Sequence, residues 1–208
     1  MSTKAAATTT VEMVQRERIL IDIELTGLTA ILIHKGTTVT KTKSRRADAK
    51  YDQEWQQTCY VDSDGYVCIP DLNLEAMILA AGRSRKVGKH YLKKYIAYAV
   101  VVEQTMVRML VNGKPVTLQD VADNDWIFVT GAVVDGKRID RYRVQIPAGW
   151  QLRFQIGLDD CLLKPEMLHE ILIDGGRQEG LCDWRPGAPK KPGKFGQFYV
   201  SRFDVKKS

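Results

Sequence analysis

The chain has 208 residues, 44% of them hydrophobic, with 31 Lys and Arg against 25 Asp and Glu for a formal charge of +6. That length is enough for one domain with a full core, and the mild positive excess matters only where the cations cluster. No apolar run reaches the roughly 18 residues of a membrane span and the N-terminus lacks an apolar signal core, so the chain reads as soluble and cytoplasmic, without a membrane partner. Cys59, Cys68, Cys161 and Cys182 form no CxxC pair and have few His neighbours, which excludes a zinc cage and points to reduced thiols.

Residues 1–17 are Ala/Thr-rich and weakly patterned, a flexible tail preceding a single domain over 18–208. Then "RILIDIELTG" alternates, with Ile19, Ile21, Ile23 and Leu25 on one face and Asp22 and Glu24 on the other, as in a half-buried strand that "LTAILIH" carries on to His34. Residues 35–57 are polar, basic and nearly free of aliphatics, a long insertion leaving the core. "TCYVDSDGYVCIP" reads as a hairpin turning at Asp64-Gly65, which separates Cys59 from Cys68 across a bulge. "PDLNLEAMILAAG" follows as a helix capped by Asp71 or Asn73, striped with Leu74, Met77, Ile78 and Ala81 and ended by Gly82.

"YIAYAVVVEQTMVRML" is β-rich, "VNGKP" turns the chain, and "DWIFVTGAVVDGKRIDRYRVQI" predicts a hairpin about Asp135-Gly136. "WQLRFQIGL" alternates with Leu152, Phe154, Ile156 and Leu158 inward. Pro165 opens a second helix, buried through Met167, Leu168, Ile171 and Leu172 and stopped by Gly175-Gly176, and "QFYVSRFDV" is a final strand. The core order is strand, helix, strand, strand, helix, strand. The fold class is therefore α+β, a ferredoxin-like (RRM-like) βαββαβ core with hairpin insertions and a long basic loop. In that arrangement both helices cover one face of an antiparallel sheet and the other face is left to bind.

Cations concentrate in two runs. From Lys35 to Lys50 lie Lys41, Lys43, Arg45 and Arg46 with one acid, and from Arg83 to Lys94 lie Arg85, Lys86, Lys89 and Lys93 with none. Clustered cations give salt-sensitive, sequence-blind affinity for a phosphate backbone. A third stretch, "EGLCDWRPGAPKKPGKFGQFYVSRF", combines Gly180, Gly187, Gly193 and Gly196 with Arg185, Lys190, Lys191 and Lys194 and with the rings of Trp184 and Phe195. Glycines let backbone N–H groups approach phosphates, cations neutralise them, and rings stack on bases. The alternative is a surface turn whose Trp184 and Phe195 pin it to the core.

A helix ending in Gly-Gly and followed by this stretch and a last strand resembles the C-terminal glycine-rich loop of the RAMP superfamily, the repeat-associated proteins of CRISPR effector complexes. "VCIPDLNLEAMILAAGR" is similar to that superfamily's strand, Ile-Pro turn and first helix. The departures are a long spacer between Gly180 and Gly193, and Asp71-Leu72-Asn73 in place of small residues after Ile-Pro. The chain is short for a CRISPR backbone subunit and resembles compact, phage-carried relatives of that type. The resemblance implies copies laid side by side along a single strand, RNA favoured over DNA, each gripping the backbone without reading sequence. It implies a homo-oligomer; the residues themselves suggest no cofactor and no metal.

Some members of that superfamily cut RNA without metal through a His, and His34, His90 and His169 are available; His34, beside Lys35, is the best single candidate. Asp159-Asp160 and Asp62-Ser63-Asp64-Gly65 are explained by turn chemistry, and no P-loop, dinucleotide fingerprint, GxSxG or HExxH occurs. The reading favoured is a non-enzymatic single-stranded RNA-binding protein. Its rivals are a phage single-stranded DNA-binding or recombination accessory protein, a metal-independent endoribonuclease, and a protein-binding module on the same fold.

Overall fold

The computed structural model describes residues 17–35, 54–134 and 137–206. The N-terminal tail and most of the first basic run, including Lys41, Lys43, Arg45 and Arg46, lie outside the described residues, as does the Asp135-Gly136 turn.

The architecture is mixed α/β with mainly antiparallel sheets. Strand β1 (Ile19–Gly27) lies between β11 (Gln151–Leu158) and β12 (Phe198–Lys206), antiparallel to both. The far edge of β11 pairs in succession with β7 (Met106–Val111) and β6 (Val100–Val102), and β7 carries the short β3 (Cys68–Pro70) and β8 (Lys114–Pro115). The strand order along the main path is therefore β12-β1-β11-β7-β3. A second sheet joins β2 (Ile31–Ile33), β10 (Lys137–Ile146) and β9 (Ile127–Val134), and β4 (Lys86–Val87) pairs with β5 (His90–Tyr91).

The two long helices, α2 (Asp71–Gly82) and α5 (Pro165–Asp174), contact one another and cover one face of the main sheet. Alternation dictates that face: Ile21, Ile23 and Leu25 of β1 are buried, as are Leu152, Phe154, Ile156 and Leu158 of β11. The helices answer with Leu74, Met77 and Ile78 from α2 and Leu168, Ile171 and Leu172 from α5. The opposite face of the sheet carries paired charges. Arg153 donates to Glu24 at 2.7 Å, Arg202 to Asp204 at 2.6 Å, and Lys206 lies 3.1 Å from Asp22.

Several expectations change. "LTAILIH" does not continue β1, because the chain turns after Gly27 and β2 joins the second sheet. Gly27 passes so close to the Trp150 indole that a Cβ would sit 2.2 Å from Nε1. The end of the polar insertion returns to the core: α1 (Glu54–Gln57) buries Trp55 to 4% exposure. Neither Asp71 nor Asn73 caps α2, whose N-cap is Pro70 without a side-chain bond; Asp71 instead accepts from the Leu72 N–H at 2.6 Å. Lys93–Ala99 is a helix, α3, rather than the start of a β-rich run, with Leu92, Ile96 and Ala99 buried. Gly175-Gly176 does not stop α5; the chain runs on through a π-turn over Gly175–Glu179 and breaks at Gly180.

Other readings hold in detail. Asp62 accepts the N–H groups of Asp64 and Tyr66, building the turn before β3 with Gly65 at φ +88°. Val111 pairs with Lys114 across Asn112-Gly113, both at positive φ, and Val134 pairs with Lys137 across residues 135–136. A short helix not expected from the sequence, α4 (Leu118–Asp123), starts on a capping box between Thr117 and Asp120. None of the described helices is long and apolar enough to cross a membrane.

Candidate nucleic-acid interface

The glycine-rich stretch folds back on itself. The Gly180 N–H donates to the Gly175 carbonyl at 2.8 Å, Gly187 to Glu179 at 2.9 Å, Gly193 to Arg185 at 3.1 Å and Gly196 to Ala30, just before β2, at 2.8 Å. All the named glycine donors are therefore used internally, and the expected N–H cradle for a polyanion is absent from this conformation. The glycines serve close chain crossings instead. A Cβ at Gly193 would lie 2.1 Å from the Trp184 carbonyl oxygen, and one at Gly196, where φ is +71°, 2.0 Å from that of Leu181.

The rings of the clasp face inward on the second sheet. Trp184 and Phe195 lie 6.0 Å and 5.6 Å from the Phe128 ring of β9, and all three rings are half-buried. Arg143, only 5% exposed, spans Thr130 at 2.8 Å and Asp183 at 2.6 Å, with its guanidinium carbon 5.0 Å from the centre of the Trp184 ring. These contacts with Phe128 and Arg143 are those an anchoring role uses. Sequence reasoning missed Arg143 and Phe128, whose signal, an aromatic and a cation on one face of a predicted hairpin, had no visible partner.

The basic run over Arg83–Lys94 leaves the end of α2 through the β4-β5 hairpin into α3. Arg83, Lys86, Lys89, Lys93 and Lys94 are exposed. Arg85 is not available to a phosphate: its guanidinium is held by Asp174 and by Glu170 of α5, the latter at 2.6 Å. No carboxylate among the described residues pairs with Lys86, Lys89, Lys93 or Lys94. The run meets the clasp at Glu179, whose side chain lies 3.8 Å from Arg83 and whose carbonyl takes the Gly187 N–H. Lys190, Lys191 and Lys194 are exposed on the clasp, while Arg185 turns back to the Cys182 carbonyl at 3.1 Å.

His34 opens on a cleft of about 270 Å³ that includes Tyr60, Asn73, Asp183 and Arg185. Burial first, then the charges of Arg141 and Arg143, hold its imidazole below the usual histidine range, so it is neutral at pH 7. The four cysteines are free thiols, and burial pushes Cys59 and Cys182 up to about 12 and Cys68 to about 11, which keeps those three in the thiol form at pH 7. Asp159, Asp160 and Cys161 lie together, but Asp159 accepts the Cys161 N–H at 3.1 Å, the turn chemistry expected of that sequence.

No protein-family model matches this sequence, and no curated protein matches it. Among solved structures, the fold is similar to that of a chain from the cryo-EM structure of the Type III-B Cmr-beta bound to cognate target RNA, with a TM-score of 0.57 and 16% identity. The alignment covers 92% of this chain and 61% of that one, so the present chain spans about 61% of its length. At that identity the likeness is one of fold.

Proposed function

We propose that this protein binds single-stranded RNA through its phosphate backbone, largely without regard to sequence, on a ferredoxin-like core of RAMP type. The observation that carries this reading is the exposed surface of Lys86, Lys89, Lys93 and Lys94, none paired with a carboxylate among the described residues, beside Arg83, which reaches Glu179 at the start of the glycine-rich stretch. The strand order supports the core assignment. If β6 and β7 together count as one strand, the antiparallel path runs fourth, first, third, second, with both long helices on one face. A fold shared with a chain of an RNA-bound assembly favours RNA as the ligand, and several copies along it are the mode we propose.

The interface is not the open face of the sheet. Its arginines and its lysine are matched by carboxylates, so it offers no net field for phosphates. Binding instead runs over the helix side of the molecule, along the basic hairpin and α3. The test is affinity for matched RNA and DNA strands across a salt series. Single-strand binding should weaken with a slope of roughly 0.7 per neutralised phosphate, and replacing Lys86, Lys93 and Lys94 together by Ala should lower that slope by about 2. Affinity that does not depend on salt would overturn the reading, and equal or better DNA binding would favour the DNA-binding rival.

His34 supports a second reading, metal-independent RNA cleavage, because a neutral imidazole facing a cleft beside Tyr60 and Arg185 is in the form a general base requires. Labelled RNA incubated in EDTA decides it. Cleavage that disappears in His34→Ala would establish an enzyme, and intact RNA with both proteins would eliminate one.

A further inference from the structure

A cleft of about 770 Å³ lies along the outer side of α3, within the size range of ligand sites, and it is lined by Tyr91, Tyr95 and Tyr98 together with Lys89, Lys93 and Lys94. Tyr95 and Tyr98, three residues apart, share one face of α3 and Tyr91 joins them from the end of β5, while Leu92, Ile96 and Ala99 form the buried stripe. Such a group of rings ordinarily belongs to a core. Here Tyr98 is 69% and Tyr91 58% exposed, and Leu162 at the cleft's edge is 38% exposed. Arg83 and His90 complete the wall, and no carboxylate lines it. Lys86 lies 4.5 Å from the centre of the Tyr91 ring, so cation and ring are already paired.

We propose that this cleft is a nucleobase site: a base of the bound single strand stacks on the Tyr91 and Tyr98 rings while Lys89, Lys93 and Lys94 take the flanking phosphates. The inference rests on the RNA-binding reading and adds to it the base-contacting side chains that Trp184 and Phe195, turned toward Phe128, do not supply. Charge selects the occupant. A protein segment would have to match this carboxylate-free lining with its own carboxylates, whereas a nucleoside within a strand brings a flat ring flanked by two phosphates. Stacking tolerates any base, so the site adds affinity without adding sequence preference.

The test uses an oligouridylate carrying one 2-aminopurine, with anisotropy reporting binding and 2-aminopurine emission reporting stacking. The parent should quench the emission on binding. Tyr91→Leu with Tyr98→Leu, which keeps the surface apolar, should abolish the quench, weaken binding roughly tenfold and leave the salt slope unchanged. An abasic strand of equal length should bind the parent as weakly as the intact strand binds the variant. Binding without quenching, or equal affinity for the abasic strand, would remove the base site while leaving the RNA-binding reading intact. A failure of every strand to bind at low salt would remove both. A concentration-dependent dimer that the same double substitution dissolves would also overturn the proposal, by making the cleft an interface between copies.

Discussion

Arg143 holds Asp183, Thr130 and the Trp184 ring together at 5% exposure, so Arg143→Ala strands a carboxylate and uncovers an indole. We expect a loss of about 2 kcal/mol, below the usual range for a fully buried pair because Asp183 keeps some solvent, read as a lowered denaturant midpoint. A red-shifted tryptophan emission should accompany it. Two glycines at positive φ separate backbone strain from steric overlap. Gly65→Ala meets open space and should cost about 1 kcal/mol, whereas Gly196→Ala adds a collision with the Leu181 carbonyl and should cost clearly more. Equal losses would mean that the clasp relaxes around the new methyl. His34 gives a pH signature. Its folded value is depressed, so the stability it contributes is complete above about pH 6.5 and is lost as pH falls toward the folded value. Its imidazole resonance, followed by NMR, should titrate below that pH.

At the scale of elements, α4 depends on its start. Thr117 accepts the Asp120 N–H, while the Asp120 carboxylate accepts the Thr117 hydroxyl at 2.7 Å and the Thr117 N–H at 2.8 Å; the hydroxyl first, then the N–H, holds that carboxyl below the ordinary range. Thr117→Ala should cost about 1 kcal/mol in thermal or denaturant unfolding. What was legible in the sequence follows from the range of the forces involved. β1, β11 and the turns at Gly65 and Asn112-Gly113 were readable because alternation and positive φ are local demands. α3 was misread because Ala99 is followed by a run of valines. The spacing of Leu92, Ile96 and Ala99 was the available signal, and it was outweighed by β-rich neighbours. The need for glycine at position 27 could not be seen, since the indole it accommodates comes from Trp150, distant in sequence and beside it only through the β1-β11 pairing. In the site, the acid-free run at 83–94 was visible as charge, but Arg85's commitment to α5 and the use of the glycine donors within the clasp depend on contacts made across the fold.

Across the whole molecule, charge is divided between paired groups on the sheet face and a cluster of cations on the β4-β5 hairpin and α3. Arg153→Ala and Arg202→Ala should therefore leave RNA affinity within about twofold of the parent, while the Lys86, Lys93 and Lys94 replacement weakens it severalfold at moderate salt. A reversed result in the same titration would move the interface to the open face. The position of β1 has its own outcome. The earliest strand of the sheet is completed on one edge by β11 and on the other by β12, the last to be made. During synthesis β1 thus lacks its β11 neighbour until residues 151–158 are made and its β12 neighbour until residues 198–206 follow. Maturation must wait for the final segment, giving slow closure and a window in which a chaperone would find its substrate.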